Sequence, residues 1–369
     1  MGGQQMNRFD PGGLSVALAT PFTDQGEIDI DGFRRLVQHV VGGGADTVVV
    51  LGSTGEAATV EPHERAPLIR AALEEARSAQ VVVGTGSNST RITCRQTAEA
   101  QELGAHGALV TIPFYNKPMP DGVVAHYRVV CEAAPGLPVI AYNVPGRTGL
   151  NLAPPTLARL WELPQVVAVK ESSGNLTQIG EIARTLPAGK ALLAGDDNLA
   201  LATIAIGAVG LVSVVGNVAP KQTKELVERA LNGDREGALR LNYTLLELID
   251  ALFVESNPIP VKAALDLLGI CGDTMRLPLT RATENTRTIL AAALRPIGLL
   301  RTLDEEHHER THDQPSRSRG FTQGPTSCAW RIRKGSACTR PCFAGSNPAR
   351  SARPSRMPRA KTAGGSTAG

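Results

Sequence analysis

Residues 165–174 read QVVAVKESSG, so an apolar run leads directly into Lys170, Glu171 and a serine–glycine turn. The run is continuous rather than alternating, which is typical of a parallel strand buried on both faces. Similar short runs rich in Val, Ala and Leu occur on both sides of it. They are LSVALATPF from Leu14, ADTVVVLGSTG from Ala45, VVVGTG from Val81, GALVTIPFYN from Gly107, LPVIAYNVPG from Leu137, ALLAGDD from Ala191 and GLVSVVGN from Gly210. The sequence therefore predicts eight buried parallel strands.

Helical patterns separate these runs, and some carry recognisable start signals. Pro154 and Pro155 are placed to begin one helix, where a missing N–H does no harm. Pro67 interrupts another pattern, so that helix is expected to begin only at about Ala66. Eight strand–helix units favour an α/β fold of the (β/α)8 TIM-barrel type. A doubly wound open sheet is the alternative.

The chain divides into four predicted segments. Residues 1–12 form a flexible leader, and residues 13–218 form the barrel. Residues 219–304 are a C-terminal helical extension of about three helices, and residues 305–369 are a basic tail. The tail is rich in Arg, Ser, Gly and Pro without helical or strand periodicity, which predicts disorder.

The composition excludes several classes of protein. Hydrophobic residues make up 42% of the chain and charged residues 20%, which is ordinary for a soluble globular protein. No apolar run reaches the roughly 18 to 20 residues that would cross a bilayer. The N-terminus lacks an apolar signal-peptide core, so a cytoplasmic location is expected. Of the six cysteines, the three that lie before the tail, Cys94, Cys131 and Cys271, are too few for a disulfide framework and are expected to be reduced thiols.

The net charge of +3 conceals an uneven distribution. Residues 310–369 contain twelve Lys and Arg residues and one acid, Asp313, which leaves the rest of the chain acidic. A basic tail can attract nucleic acid through counterion release. However, no nucleic-acid-binding motif accompanies the charge, and a non-homologous extension is the preferred interpretation. Nucleic acid and membranes are therefore not expected partners.

Lys170 is the leading catalytic candidate, because catalytic groups of such barrels lie at the carboxyl ends of strands. A lysine held in an apolar environment is more readily deprotonated, and the neutral amine can form an imine with a ketone. The alternative is a strand-end lysine that extends its ammonium group to water.

Other strand ends carry polar residues with less specific patterns. The Ser53–Thr54 turn offers backbone N–H groups and hydroxyls for a small carboxylate, although such turns are common. Tyr115 and Tyr142 can relay protons or simply pack. Arg147 can hold a carboxylate with its guanidinium fork or be a solvated loop residue.

Taken together, these strand ends resemble the dihydrodipicolinate synthase and N-acetylneuraminate lyase superfamily. The resemblance extends from about residue 13 to residue 303, in the order expected along the chain. The motifs that carry it are GSTGEA from Gly52, PFYNKP from Pro113, YNVPGRTG from Tyr142, VAVKESSGN from Val167, GDD from Gly195 and NPIPVKAAL from Asn257.

The resemblance implies a class I aldolase in which Lys170 forms an imine with pyruvate. It also implies proton transfer by Tyr142, Ser53 and Tyr115, and binding of the pyruvate carboxylate by Ser53 and Thr54. The remaining pocket residues are implied to be Gly195 and Val212. The implied assembly is a dimer or dimer of dimers, since the tyrosine matching Tyr115 enters a neighbouring subunit's site. No metal or organic cofactor is implied.

The segment after the fifth strand separates the subgroups of this superfamily. YNVPGRTG matches the subgroup in which the arginine, here Arg147, grips the carboxylate of L-aspartate 4-semialdehyde. Ser53 departs from the two threonines more usual in that subgroup. A lyase or aldolase of a sugar-derived 2-keto acid is the closest alternative, a dehydratase is a third, and a non-catalytic barrel with a binding tail is a fourth.

Feedback inhibition by lysine is expected to be weak or absent. Some synthases bind lysine through histidine, glutamate and tyrosine side chains at the dimer interface. The matching positions are Pro62, Arg65, Ile92 and Phe114, while Asn88 is retained. The lost polar groups should weaken recognition of the two amines, and half-inhibition below millimolar lysine would contradict this expectation.

Overall fold

The computed structural model describes residues 9–300, so most of the predicted leader and the whole tail from residue 305 lie outside the described residues. Eight parallel strands form a closed barrel in the order β1 to β8, with β1 paired to β8. The strands are β1 Gly13–Ala17, β2 Thr47–Val50, β3 Gln80–Gly84, β4 Gly107–Thr111, β5 Val139–Asn143, β6 Val166–Glu171, β7 Ala191–Ala194 and β8 Gly210–Ser213. The predicted (β/α)8 barrel is confirmed, and the doubly wound sheet is excluded.

The helices connect these strands and continue beyond them. Those before β8 are α1 Ile30–Gly42, α2 Pro62–Glu75, α3 Thr90–Glu102, α4 Pro120–Ala133, α5 Pro145–Thr148, α6 Pro154–Leu160, α7 Leu176–Arg184 and α8 Ala200–Ile206. Those after it are α9 Pro220–Leu231, α10 Arg235–Ala251, α11 Ile259–Leu267 and α12 Glu284–Leu294. Within residues 9–300, four helices therefore follow β8 rather than three, because α9 packs on β1 and β8 as the barrel's own eighth helix.

The strands bury both faces, which explains their continuous apolar runs. Alternate side chains fill the barrel interior, as Val49, Ala168 and Leu193 do. The residues between them, such as Val48 and Val169, pack against the surrounding helices. Because side chains alternate along a strand, Lys170 lies on the same inward face of β6 as Ala168.

Helix α2 begins earlier than predicted, and the expectation of a start near Ala66 was wrong. The helix starts at Pro62 and contains Pro67. Its first turn is closed by a capping box in which the Glu61 N–H donates to Glu64 Oε2 at 2.8 Å. Arg276 also donates two hydrogen bonds to the Glu64 carboxylate. These contacts stabilise the first turn, although Pro67 has no N–H group with which to donate a helical hydrogen bond.

Two further observations concern the ends of the described chain. Phe9, in the predicted leader, packs against the barrel-interior cluster, and the Asp10 N–H donates to Gln80 Oε1 at 3.3 Å. Among residues 9–300, no helix combines the length and apolar character needed to cross a membrane.

Candidate active site

Lys170 and Tyr142 lie side by side within the mouth of the barrel. They are register partners on the adjacent strands β6 and β5. The Lys170 side chain is buried, with 4% of the residue exposed, so it does not extend to bulk solvent. Its Nζ lies 4.2 Å from the centroid of the Tyr142 ring, where the electron-rich face of the ring attracts a cation.

The space for Lys170 depends on Gly195, the residue after β7. A Cβ at this position would overlap Ser172 Oγ and lie 2.9 Å from the Glu171 carbonyl oxygen and 3.0 Å from Lys170 Cε. Only a residue without a side chain therefore leaves the lysine its observed position. Val212 on β8 belongs to the same interior cluster as Tyr142. The structure thus brings these four predicted site residues together.

Two carboxyl groups follow β7 near the lysine: that of Asp196, which is half-buried, and that of Asp197, which is buried. Burial raises the pKa of Asp196, and the positive charge of Lys170 acts in the opposite direction. Burial also raises the pKa of Asp197, which accepts hydrogen bonds from Ser213 Oγ and, at 2.9 Å, from the Val214 N–H. Both belong to the GDD motif, although neither was among the predicted site residues.

The Ser53–Thr54 loop follows β2 as a tight turn. The Gly55 N–H donates to the Gly52 carbonyl at 3.1 Å, and the Glu56 N–H donates to the Ser53 carbonyl at 3.2 Å. Thr54 is buried and Ser53 is half-buried. Glu56 has a φ of 51°, so the loop ends in a left-handed conformation that non-glycine residues rarely adopt.

Arg147 lies in the short helix α5 that follows β5. Its guanidinium donates to the Asn257 carbonyl oxygen at 3.1 Å and is otherwise exposed. The Tyr115 N–H donates to the Thr148 carbonyl at 3.4 Å, which connects the loop after β4 to the end of α5. The Tyr115 side chain is 87% exposed, so it is not packed with Lys170 and Tyr142.

The C-terminal extension supplies contacts that the sequence interpretation missed. Asn257 Nδ2 donates to Thr54 Oγ1 at 3.0 Å. Lys262 Nζ donates to Glu56 Oε1 at 2.8 Å and to the Thr20 carbonyl at 2.9 Å, and both charged side chains are almost fully buried. A signal was available, because Lys262 lies in the apolar stretch NPIPVKAAL just as Lys170 ends an apolar run.

A cavity of about 690 Å³ opens beside these loops. Ser53, Val144 and Arg147 line it, and Val144 also belongs to the interior cluster that contains Tyr142. The cavity therefore connects the mouth of the barrel with the surface. The residues at the four positions expected to decide lysine binding also line it: Pro62, Arg65, Ile92 and Phe114.

A closed (β/α)8 barrel with a buried lysine beside a tyrosine at its mouth fits the class of lyases that act through a lysine imine. The profile of the dihydrodipicolinate synthetase family matches residues 10–297. The 4-hydroxy-tetrahydrodipicolinate synthase of Thermosynechococcus vestitus is 42% identical over 294 residues, covering 79% of this chain and 99% of that protein. The chain therefore belongs to the dihydrodipicolinate synthetase family.

Solved structures agree with this assignment. Dihydrodipicolinate synthase from Aquifex aeolicus matches with a TM-score of 0.76 and 39% identity, covering 78% of this chain and 98% of that one. The synthase from Cyanidioschyzon merolae, solved with lysine bound, matches with a TM-score of 0.76 and 38% identity, covering 78% and 99%. Nearly the whole of each relative is thus represented here.

Proposed function

We propose that Lys170 is the covalent nucleophile for the class I aldol condensation of pyruvate with L-aspartate 4-semialdehyde. The product is 4-hydroxy-tetrahydrodipicolinate, and the reaction belongs to lysine and diaminopimelate biosynthesis. The similarity to enzymes named for this product supports the activity. The observation that carries the assignment of the nucleophile is the burial of Lys170 beside Tyr142 and Gly195.

The neutral amine of Lys170 adds to the ketone carbon of pyruvate, and loss of water gives an imine. Removal of a proton from the methyl group then gives an enamine, whose carbon attacks the aldehyde carbon and forms the new C–C bond. The amine of the aldehyde substrate finally displaces Lys170 and closes the six-membered ring. The enzyme is regenerated, and no oxidant or reductant is consumed.

The protons in these steps are assigned to three hydroxyl groups, two from the same subunit and that of Tyr115 from a neighbouring one. Tyr142 is the group that lies against Lys170, and Ser53 and Tyr115 complete the proposed relay. General acid–base assistance of this kind is worth about 10² to 10⁴-fold in rate. The pyruvate carboxylate is assigned to Ser53, which lines the cavity, and to Thr54, the next residue of the same turn. Gly195 and Val212 pack around the imine.

Arg147 is assigned to the carboxylate of the aldehyde substrate. Its guanidinium donates one hydrogen bond to the Asn257 carbonyl, and Arg147 lines the cavity. The other guanidinium N–H groups are available to bind a carboxylate. An aldolase of a sugar-derived 2-keto acid has no corresponding need for this cation. The aspartate semialdehyde assignment is therefore preferred to that alternative.

The exposure of Tyr115 supports a homo-oligomeric enzyme, as a dimer or dimer of dimers. Tyr115 is 87% exposed and Met119, also in the loop after β4, is 75% exposed. A partner subunit covering this surface would place each Tyr115 in a neighbouring site. The remaining parts of the proposal are a cytoplasmic location, small-molecule substrates and a mechanism that uses no metal or organic cofactor.

The test measures pyruvate-dependent consumption of L-aspartate 4-semialdehyde, coupled to a pyridine-nucleotide-dependent reductase that acts on the product. Lys170→Ala is the control. Turnover in the wild type that disappears in the variant is the expected result. Borohydride trapping of pyruvate on Lys170 without turnover would refute the acceptor substrate but retain the aldolase chemistry. Failure of both turnover and trapping would refute the whole proposal.

A further inference from the structure

Asn257 connects the two loops that are assigned to the two substrates. Its side chain donates to Thr54 Oγ1, in the loop assigned to pyruvate, at 3.0 Å. Its backbone carbonyl accepts from Arg147, assigned to the aldehyde, at 3.1 Å. Asn257 is 6% exposed and Thr54 is also buried, so the bond between their side chains is shielded from water and correspondingly stronger. Asn257 thus acts on each loop through a different part of its structure.

The direction of the bond to Thr54 has a chemical consequence. A threonine hydroxyl has one proton and two lone pairs. Because the Asn257 amide N–H occupies a lone pair, the hydroxyl proton remains available to another acceptor. A bound carboxylate is such an acceptor, and a hydrogen bond to a charged group is stronger than one between neutral groups.

The orientation of the Asn257 side-chain amide is the one that pairs its buried N–H₂ group with a hydrogen-bond acceptor. Asn257 Oδ1 is buried and has no hydrogen-bond partner within residues 9–300. Reversing the amide would instead leave its N–H₂ group, which carries two donors, unpaired in the buried position that the carbonyl oxygen now occupies. The observed orientation therefore keeps Thr54 as a hydrogen-bond donor.

The segment that carries Asn257 is itself fixed to the same loop. Lys262, five residues further along, pairs with Glu56 at the end of the Ser53–Thr54 turn. Its Nζ also lies 4.2 Å from the centroid of the Phe22 ring. Two contacts from one segment of the extension therefore hold the turn, so the Asn257 amide and the Thr54 hydroxyl keep a defined geometry.

We propose that Asn257 is a positioning residue for pyruvate: its side-chain amide holds the Thr54 hydroxyl so that it donates to the pyruvate carboxylate. This inference rests on the proposed function of the Ser53–Thr54 loop. The two roles of Asn257 can be separated by mutation. A change of the side chain removes the bond to Thr54 but retains the backbone carbonyl that anchors Arg147. Recognition of pyruvate should therefore change while recognition of the aldehyde should not.

The experiment compares the full-length wild type with Asn257→Ala and Asn257→Asp. In the alanine variant the KM for pyruvate should rise roughly 10-fold, the value of a hydrogen bond to a charged group, with the KM for the aldehyde unchanged. The aspartate variant preserves the shape but accepts the Thr54 proton and adds a negative charge near the carboxylate. Its KM for pyruvate should exceed that of the alanine variant.

Thr54→Val provides an independent test through a double-mutant cycle. Once the hydroxyl is gone, adding Asn257→Ala should change the KM for pyruvate by less than about twofold, because the two residues act through one bond. Asn175→Ala is the matched control, since it removes the N-cap bonds to Thr177 and Gln178 on α7. It should lower the unfolding temperature without changing either KM.

An aspartate variant with the wild-type KM for pyruvate would overturn the inference, and so would additive effects in the cycle. Equal rises in both KM values would also overturn it, because they indicate a general loss of structure. A variant too unstable for kinetics is assessed by the pyruvate dependence of borohydride trapping on Lys170. Absence of trapping in the wild type would instead refute the proposed function, so the two failures are distinguishable.

Discussion

Replacing Gly195 with alanine should reduce the activity of the enzyme far more than the small size of the added methyl group suggests. The added Cβ would lie 3.0 Å from Lys170 Cε, whereas ordinary contact begins at 3.4 Å. It would also lie 2.9 Å from the carbonyl oxygen of Glu171, which is held in β6. Ser172 Oγ can rotate away, but the strand backbone cannot. Lys170 must therefore retreat by at least about 0.4 Å, because hard-core contacts dominate in a packed interior.

The expected loss in kcat/KM is at least about 10-fold and approaches 10²-fold if the displacement reaches about 1 Å. Overpacking of this kind also costs about 1–3 kcal/mol of the free energy of unfolding. The coupled assay gives kcat/KM for pyruvate, and mass spectrometry after borohydride reduction gives the fraction of Lys170 that reacts. Both should fall together, since the same displacement affects each.

Gly180→Ala is the matched control. Gly180 lies in α7, and a Cβ there meets nothing within 4 Å. Alanine should stabilise this helix by up to about 1 kcal/mol and leave kcat/KM unchanged. If Gly195→Ala retains more than half of the wild-type kcat/KM and normal trapping, the argument that Gly195 sets the position of Lys170 is wrong.

Two further predictions concern stability. Lys262→Met leaves Glu56 as an unpaired buried carboxylate and should lower the free energy of unfolding in urea by about 3–5 kcal/mol. Adding Glu56→Gln should recover most of this loss. Arg240→Met, which breaks an exposed pair with Glu236, should cost little, and a cost equal to that of Lys262→Met would contradict the argument. Burial lowers the pKa of His126 from 6.5 to about 4, so the unfolded state binds the proton first as the pH falls. Between about pH 6.5 and pH 4 the wild type should therefore lose up to about 3 kcal/mol of the free energy of unfolding, and the His126→Gln variant should not show this loss. Parallel pH profiles of unfolding for the two proteins would refute this.

Much of the barrel was predictable because its pattern is local. Each strand is a run of apolar residues buried on both faces, and this requirement is visible in a single segment such as residues 165–174. The carboxyl ends of parallel strands share one end of a barrel, so the runs also located Lys170 and Tyr142 at the same mouth. The start of α2 was not predictable in this way, because Arg276, 212 residues further along the chain, secures it by binding Glu64 in its first turn.

The sequence by itself placed Lys170 at the end of an apolar run, and the family motifs singled it out as the nucleophile, whereas the burial of Lys262 emerged only from the structure. Only the tertiary structure decided their partners. Lys262 meets Glu56, which is 206 residues away, whereas Lys170 meets the ring of Tyr142 across neighbouring strands. Apolar periodicity reports whether a residue is buried. Which polar group it meets there depends on the closure of the barrel and the path of the extension, and no local pattern encodes either.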